Sequence, residues 1–239
     1  VVILAECAHA DADLLAELNA GGAGFVCPTL NNQRFRLAVR NTAVSARSVQ
    51  SDPSERLLVV QLRSFKKRPL LLAVVHLPSL LGANDSVGYV LAEELRRTET
   101  RLRNQRTILV GDFNRSPFDD VVVDALGFHA LMTRQLTERK HNRTVQGHEY
   151  PVFFNPMWQF LTDRATRPPG TYYFDQSVAL NHFWYTLDQV MVRPELADKL
   201  NSVEILETDG TDSLLNTPHG WPDTTTGSDH LPLLFRIDW

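Results

Sequence analysis

Two stretches of this chain place polar groups where an apolar, strand-like run gives way to a turn. They are Ile108-Leu109-Val110-Gly111-Asp112-Phe113-Asn114 and Gly227-Ser228-Asp229-His230-Leu231-Pro232. An apolar run of this length and composition is expected to be buried as a strand. A strand ending in a carboxylate delivers it to the rim of a sheet, where α/β proteins build their sites. Asp112 and Asn114 share a face because side chains alternate along a strand. The Asp229-His230 pair adds a carboxylate and an imidazole ahead of another apolar run. Such a set suits a hard divalent cation, a positioned water and a phosphate, and so points to metal-dependent hydrolysis.

The same pattern recurs along the chain. Glu6 closes the run Val1-Val2-Ile3-Leu4-Ala5, and His76 closes Leu70-Leu71-Leu72-Ala73-Val74-Val75. Asp188 lies inside Tyr185-Thr186-Leu187-Asp188-Gln189-Val190-Met191-Val192. Taken singly, Glu6 reads as a solvated strand end, His76 equally as a hydrogen-bonded structural histidine, and Asp188 as a buried, paired charge. Four acids and two histidines repeating one design favour a functional reading.

With 239 residues, the chain is long enough for one large domain or two small ones. A formal charge of -4 argues against a broad surface for coating nucleic acid. It leaves room for a nuclease, because a carboxylate-rich site lowers net charge while local basic patches still meet phosphate. Cys7 and Cys27, the two cysteines, define no disulfide framework and read as reduced thiols. No apolar run reaches the roughly 18 residues that a membrane-spanning helix needs. The chain opens at Val1 directly into a strand-like run, unlike a signal peptide with its positive n-region. The expectation is a single domain over residues 1–239 with upstream sequence removed. Its compartment is unknown, with the expectation leaning to the cytoplasm.

Strands are predicted at 1–5, 24–27, 34–40, 57–64, 69–76, 107–111, 187–192, 203–207 and 233–237, from apolar and β-branched content. Helices are predicted at 11–19, 84–103, 118–126 and 194–200, with Asn84 or Asp85 capping the second and Pro117 opening the third. Strands outnumber helices and several connections are short, which favours mixed or antiparallel sheets with helices packed outside. Two long polar stretches, 133–186 and 208–227, are expected to be functional or mobile loops.

Ile-Leu-Val-Gly-Asp-Phe-Asn and Gly-Ser-Asp-His-Leu-Pro resemble the two signature motifs of the endonuclease/exonuclease/phosphatase (DNase I-like) superfamily. Val-Ile-Leu-Ala-Glu ending at Glu6, Val-Val-His-Leu at 74–77 and Leu187-Asp188-Gln189-Val190 resemble three further motifs, in family order. The resemblance implies a four-layered α/β/β/α sandwich, an α/β (α+β) fold of two mixed, mainly antiparallel sheets flanked by helices. It also implies roles. Glu6 would coordinate Mg²⁺ or Mn²⁺, with Asp229 near enough to ligate the same ion or a second. Asp112 would orient and deprotonate the attacking water, and Asn114 would hold that water or the scissile phosphate. His230 would contact a phosphate oxygen or exchange a proton, its tautomer fixed by Asp188. His76 would stabilise the phosphate or protonate the leaving group. The family usually has an asparagine on a strand upstream of the glutamate strand, and nothing precedes Val1 here. Hence the expectation of a trimmed chain lacking its first strand.

For the substrate, Arg134, Arg139, Lys140, His141 and Arg143 form a basic cluster that could follow a phosphodiester backbone or be a solvated loop. Phe153, Phe154, Trp158, Tyr172, Tyr173 and Phe174 could stack on bases or cover the core. Arg115 could reach a phosphate or lie on the surface. The leading expectation is a metal-dependent phosphodiesterase with nucleic acid as substrate. The alternatives are a phosphomonoesterase or sphingomyelinase-like lipid phosphodiesterase, with 77–82 as a short apolar candidate for insertion, or a catalytically impaired binding module.

Overall fold

The computed structural model describes residues 1–40, 42, 44–79, 85–162, 168–216, 219–225 and 227–239. Strand β1 (Val2–Ala5), helix α1 (Asp11–Asn19), β2 (Phe25–Val26) and β3 (Phe35–Arg40) open the chain. Then come β4 (Ser45–Ser51), β5 (Leu57–Arg63), β6 (Leu70–His76), helix α2 (Ser86–Leu102) and β7 (Thr107–Asp112). Short elements follow: α3 (Asp120–Val123), β8 (Ala130–Leu131), α4 (Arg134–Arg139), β9 (Asn142–Val145), β10 (His148–Pro151) and β11 (Phe153–Phe154). The last strands are β12 (Tyr172–Tyr173), β13 (Trp184–Tyr185), β14 (Asp188–Val192), β15 (Leu200–Ile205) and β16 (Leu233–Ile237). Turns of 3₁₀ helix occupy Pro156–Phe160 and Pro194–Lys199.

A seven-stranded mixed sheet, ordered β4-β5-β6-β7-β14-β11-β8, is the centre of the molecule. Its middle strands read as nearly unbroken apolar runs because both faces are covered. Alternate residues feed two separate cores. Leu58, Val60, Leu72, Val74, Ile108, Val110 and Val190 pack with Phe35, Leu37 and Val39 of the second sheet. Leu57, Val59, Leu71, Ala73, Val75 and Leu109 pack with Leu91 and Leu95 of α2 and with Val121 and Val122 of α3. Helix α2 carries the chain from β6 to the parallel strand β7. At Gly88 it comes so close to α3 that a Cβ there would lie 2.6 Å from Val121 Cγ2.

The second layer consists of the antiparallel set β1-β3-β2 and the pair β15-β16. The outer edges of β1 and β16 are unpaired among the described residues. They face a cleft of about 930 Å³ floored by Leu72, Val74, Ile108 and Val110. Consecutive residues of both strands line it, Ile3-Leu4-Ala5 and Leu233 to Ile237. Since side chains alternate, a cleft lined by successive residues faces the backbone edge of each strand. Helix α1 lies near β2 with none of its residues buried, and supplies the thin fourth layer. Among the described residues no helix is long and apolar enough to cross a membrane.

Several predicted boundaries shift. The helix expected at 118–126 is confined to α3, so Pro117 precedes it, and Gly127 turns beneath the Val121 carbonyl where a Cβ would collide. The strand expected at 203–207 runs instead from Leu200, paired with Ile237. The 194–200 helix is 3₁₀. Asp85 stands at the N-cap of α2 without a side-chain cap bond, its carboxylate turned to Arg115. Asn84, residues 80–82 of the short apolar candidate, and parts of both long loops lie outside the described residues.

Candidate active site

Strand register puts three of the expected residues in one row. His76 of β6 lies opposite Asp112 of β7, and Asp112 opposite Asp188 of β14. The parity that sends Val74, Val110 and Val190 into the core between the sheets sends this row to the same side. There Glu6 and the Asp229-His230 segment line the same cleft. Sequence positions 6, 76, 112, 188, 229 and 230 therefore converge on one end of the molecule.

Asp112 is held at both oxygens. The Asn114 backbone N–H donates to Oδ1 at 2.7 Å and Asn114 Nδ2 to Oδ2 at 2.8 Å. The same Nδ2 donates to the Leu77 carbonyl at 2.9 Å, tying the end of β7 to the end of β6. Asn114 adopts φ 48°, a left-handed conformation that asparagine tolerates better than most residues. Preceding Asp112, Gly111 has φ 144°, and a Cβ there would collide with the Val75 carbonyl. Burial, followed by the Asp188 charge, pushes the Asp112 carboxyl up to about 7.

His230 Nδ1 lies 2.7 Å from Asp188 Oδ2, both groups being about one-fifth exposed. Burial alone would lower the imidazole's pKa. The hydrogen bond and charge of Asp188, with Asp112 and Asp229 behind it, outweigh burial and raise it to about 9. The Asp188 backbone is fixed in turn by Thr171 Oγ1, which accepts from the N–H groups of Leu187 and Asp188. The Tyr172 ring packs on the His230 ring with centroids 4.8 Å apart.

His76 is 8% exposed, its Nε2 3.5 Å from Asp112 Oδ2 and its Nδ1 3.8 Å from Glu6 Oε1. Nδ1 is buried without a hydrogen-bond partner. Burial lowers its pKa against the raising effect of Glu6, so this imidazole is disposed to be neutral. Glu6 sits at φ 54° with its side chain 67% exposed, 3.4 Å from Arg34 Nη1. Asp229 is exposed, with Ser228 Oγ 3.5 Å from its Oδ1.

Ligand atoms of Asp112, Asp188 and His230 lie within 4.8 Å of one another. Glu6 and Asp229, the residues expected to hold the metal, line the same cleft but are not part of this cluster; carboxylate oxygens of this kind are what hard divalent cations prefer. Asp188 adds its charge to the burial that raises the Asp112 pKa, and a cation at this cluster would relieve that repulsion.

Other expectations resolve differently. Arg115 is 2% exposed, donating to Asp85 at 2.7 Å and to the Pro78 and Asn114 carbonyls, so it braces the site from beneath. Arg134 donates to the Ala197 and Leu200 carbonyls and so packs inward, while Arg139, Lys140, His141 and Arg143 are exposed. Phe153 and Phe154 are core residues. Sequence reading passed over Thr171, Arg34 and Arg56, which make their site contacts only through tertiary structure.

The model of the Endonuclease/Exonuclease/phosphatase family matches residues 1–230. The chain belongs to this family. Among solved structures, it resembles the endonuclease domain of TRAS1, a telomere-specific non-LTR retrotransposon. That match has 14% identity and a TM-score of 0.54 over 98% of this chain and 94% of the other. It also resembles D. rerio TDP2 complexed with single-strand DNA product, at 16% identity and a TM-score of 0.54 over 100% and 85% of the two chains. The human Nocturnin catalytic domain with bound sulfate matches at 15% identity and a TM-score of 0.52, over 98% and 79%. At these identities the structures establish a shared DNase I-like fold. No curated protein sequence matches the chain.

Proposed function

We propose that the protein is a metal-dependent phosphodiester hydrolase, with nucleic acid as its substrate, that cleaves by attack of an activated water on phosphorus. The observation that carries this reading is the register row His76–Asp112–Asp188 closed by the 2.7 Å His230–Asp188 contact. It sets the buried Asp112 carboxyl between two imidazoles, His76 with a lowered pKa and His230 with a raised one. A solved structure of the same fold, D. rerio TDP2 complexed with single-strand DNA product, supports the substrate class.

Glu6 and Asp229 would hold Mg²⁺ or Mn²⁺, which supplies charge to stabilise phosphate oxygens. Asp112, ionised, accepts a proton from the attacking water, its direction fixed by Asn114. Charged His230, kept in that state by Asp188, donates to a non-bridging oxygen as negative charge grows there. His76, with its unpartnered Nδ1, is placed to contact the phosphate.

Nicking of supercoiled plasmid tests this reading. Nicking with Mg²⁺, lost in EDTA and in Asp112→Ala, is expected. Release of phosphate from small monoesters without nicking would replace it with the phosphomonoesterase reading.

A further inference from the structure

Two arginines stand beside the Glu6–His76 pair, and the hydrolytic machinery described above makes no use of them. Arg34 Nη1 is 3.4 Å from Glu6 Oε1, and its Nε is buried without a partner. Arg56 Nη1 donates to the His76 carbonyl at 3.0 Å, and the guanidinium makes no ion pair among the described residues. Contacts of 3.4, 3.8 and 3.5 Å link Arg34 to Glu6, Glu6 to His76 and His76 to Asp112. Arg34 therefore borders the reacting row from the start of β3, and Arg56 from the start of β5.

Their placement is built by two buried polar residues. Asn32, 6% exposed, accepts from the N–H groups of Arg34 and Phe35 and donates to Ser51 Oγ and the Glu55 carbonyl. It therefore fastens the loop bearing Arg34 to the loop bearing Arg56. Asp52, 7% exposed, accepts from the N–H groups of Ser54 and Leu57 and closes the second loop. Two like charges are thus held near each other on a rigid base. Burial, with the Arg34 charge next, lowers the Arg56 pKa. Asp52 and Glu6 offset part of this charge, but Arg56 gives one nitrogen to a backbone carbonyl and ion-pairs with no carboxylate among the described residues, which leaves guanidinium N–H groups for an anion. Glu6, the carboxylate Arg34 pairs with among the described residues, is also the proposed cation ligand, so a bound cation would draw on it.

We propose that Arg34 and Arg56 form an anion subsite taking a phosphate adjacent to the scissile one, which makes a polynucleotide the preferred substrate over a small diester. This rests on the nuclease reading and deepens it to a polymeric substrate. A nucleic-acid strand carries a phosphate at every nucleotide, whereas a small diester has none to offer the pair.

The test compares a ten-nucleotide single strand with bis(p-nitrophenyl) phosphate, both with Mg²⁺, for the wild type, Arg34→Gln and Arg56→Gln. Each variant is expected to lower the ratio of kcat/KM for the oligonucleotide to that for the small diester about ten-fold. In the Asp112→Asn background, each substitution is expected to weaken oligonucleotide binding. It should also reduce the slope of log affinity against log salt by about 0.7, the loss of one phosphate contact on a single strand. Equal losses on both substrates, with a higher Mg²⁺ requirement, would show that Arg34 only holds Glu6 and would overturn the proposal. Unchanged binding and an unchanged salt slope would overturn it too, while plasmid nicking by the wild type left the nuclease reading standing. A wild type that hydrolyses the small diester but neither binds nor cleaves the oligonucleotide would defeat both.

Discussion

Asp112 is buried beside Asp188 with its carboxyl pushed up to about 7, and His230 carries a pKa of about 9. Catalysis as proposed needs the first ionised and the second protonated, so kcat/KM should rise through pH 7 and fall through pH 9. Asp188→Asn removes a charge that adds to burial in raising Asp112 and that outweighs burial in raising His230. Both limbs of the profile should then move to lower pH, with activity reduced about 10- to 100-fold. A profile that keeps its two limbs in place would mean that Asp188 does not act through them. Stability follows the same groups. Because folding raises the Asp112 pKa, its contribution is full below the ordinary carboxylate range and is lost as pH rises through about 7. Above pH 7 the fold holds an ionised, poorly solvated carboxylate, which a cation would compensate. Mg²⁺ should therefore raise Tm more at pH 8 than at pH 6, and Asp112→Asn should flatten that difference. An equal shift at both values would place the cation away from Asp112.

Among the elements, β7 depends on a backbone conformation closed to residues with a Cβ. Gly111→Ala would drive a methyl group into the Val75 carbonyl at φ 144°. A cost of roughly 2–4 kcal/mol is expected from strain and displacement. Thermal melting should show it, together with loss of activity as Asp112 moves. A variant with wild-type Tm would refute this account of the β6–β7 contact. Long strands such as β5, β6 and β7 were legible because burial on both faces forces a continuous apolar run, and their polar tips stood out against it. Strand β4, Ser-Ala-Arg-Ser-Val-Gln-Ser, escaped because it is an edge strand, half exposed and bulged between Ser48 and Gln50. The strands of two to four residues between β8 and β13 have too little local pattern to be read, being defined by what they pack against. Arg115 could not be assigned from sequence, since its burial depends on Asp85 thirty residues away. The same holds for Arg34 and Arg56, joined by Asn32 only once the chain has folded.

Across the whole molecule, a buried ion pair joins the helical layer to the central sheet at the end away from the site. Arg193 donates from Nε and Nη2 to the two oxygens of Glu99 at 2.9 and 2.8 Å, with side chains 2% and 1% exposed. Glu99 Oε1 also accepts from Thr107 Oγ1, and the guanidinium lies 3.7 Å from the centroid of the Phe153 ring. Glu99→Ala strands a buried cation and should cost about 3–5 kcal/mol in denaturant unfolding. Glu99→Leu combined with Arg193→Met should recover much of that loss. A single variant unfolding like the wild type would show that the pair carries no such weight. At the site end of the same sheet, the central claim is a cation-dependent attack of water on phosphorus directed by Asp112. It is tested most directly by the cleavage rate of an end-labelled oligonucleotide as Mg²⁺ is titrated, in the wild type and in Asp112→Ala. The account predicts a saturable rate in Mg²⁺, no cleavage in EDTA, and a loss of about 10²–10⁴-fold in the variant. Cleavage in EDTA at the full rate, or an Asp112→Ala protein as fast as the wild type, would contradict it.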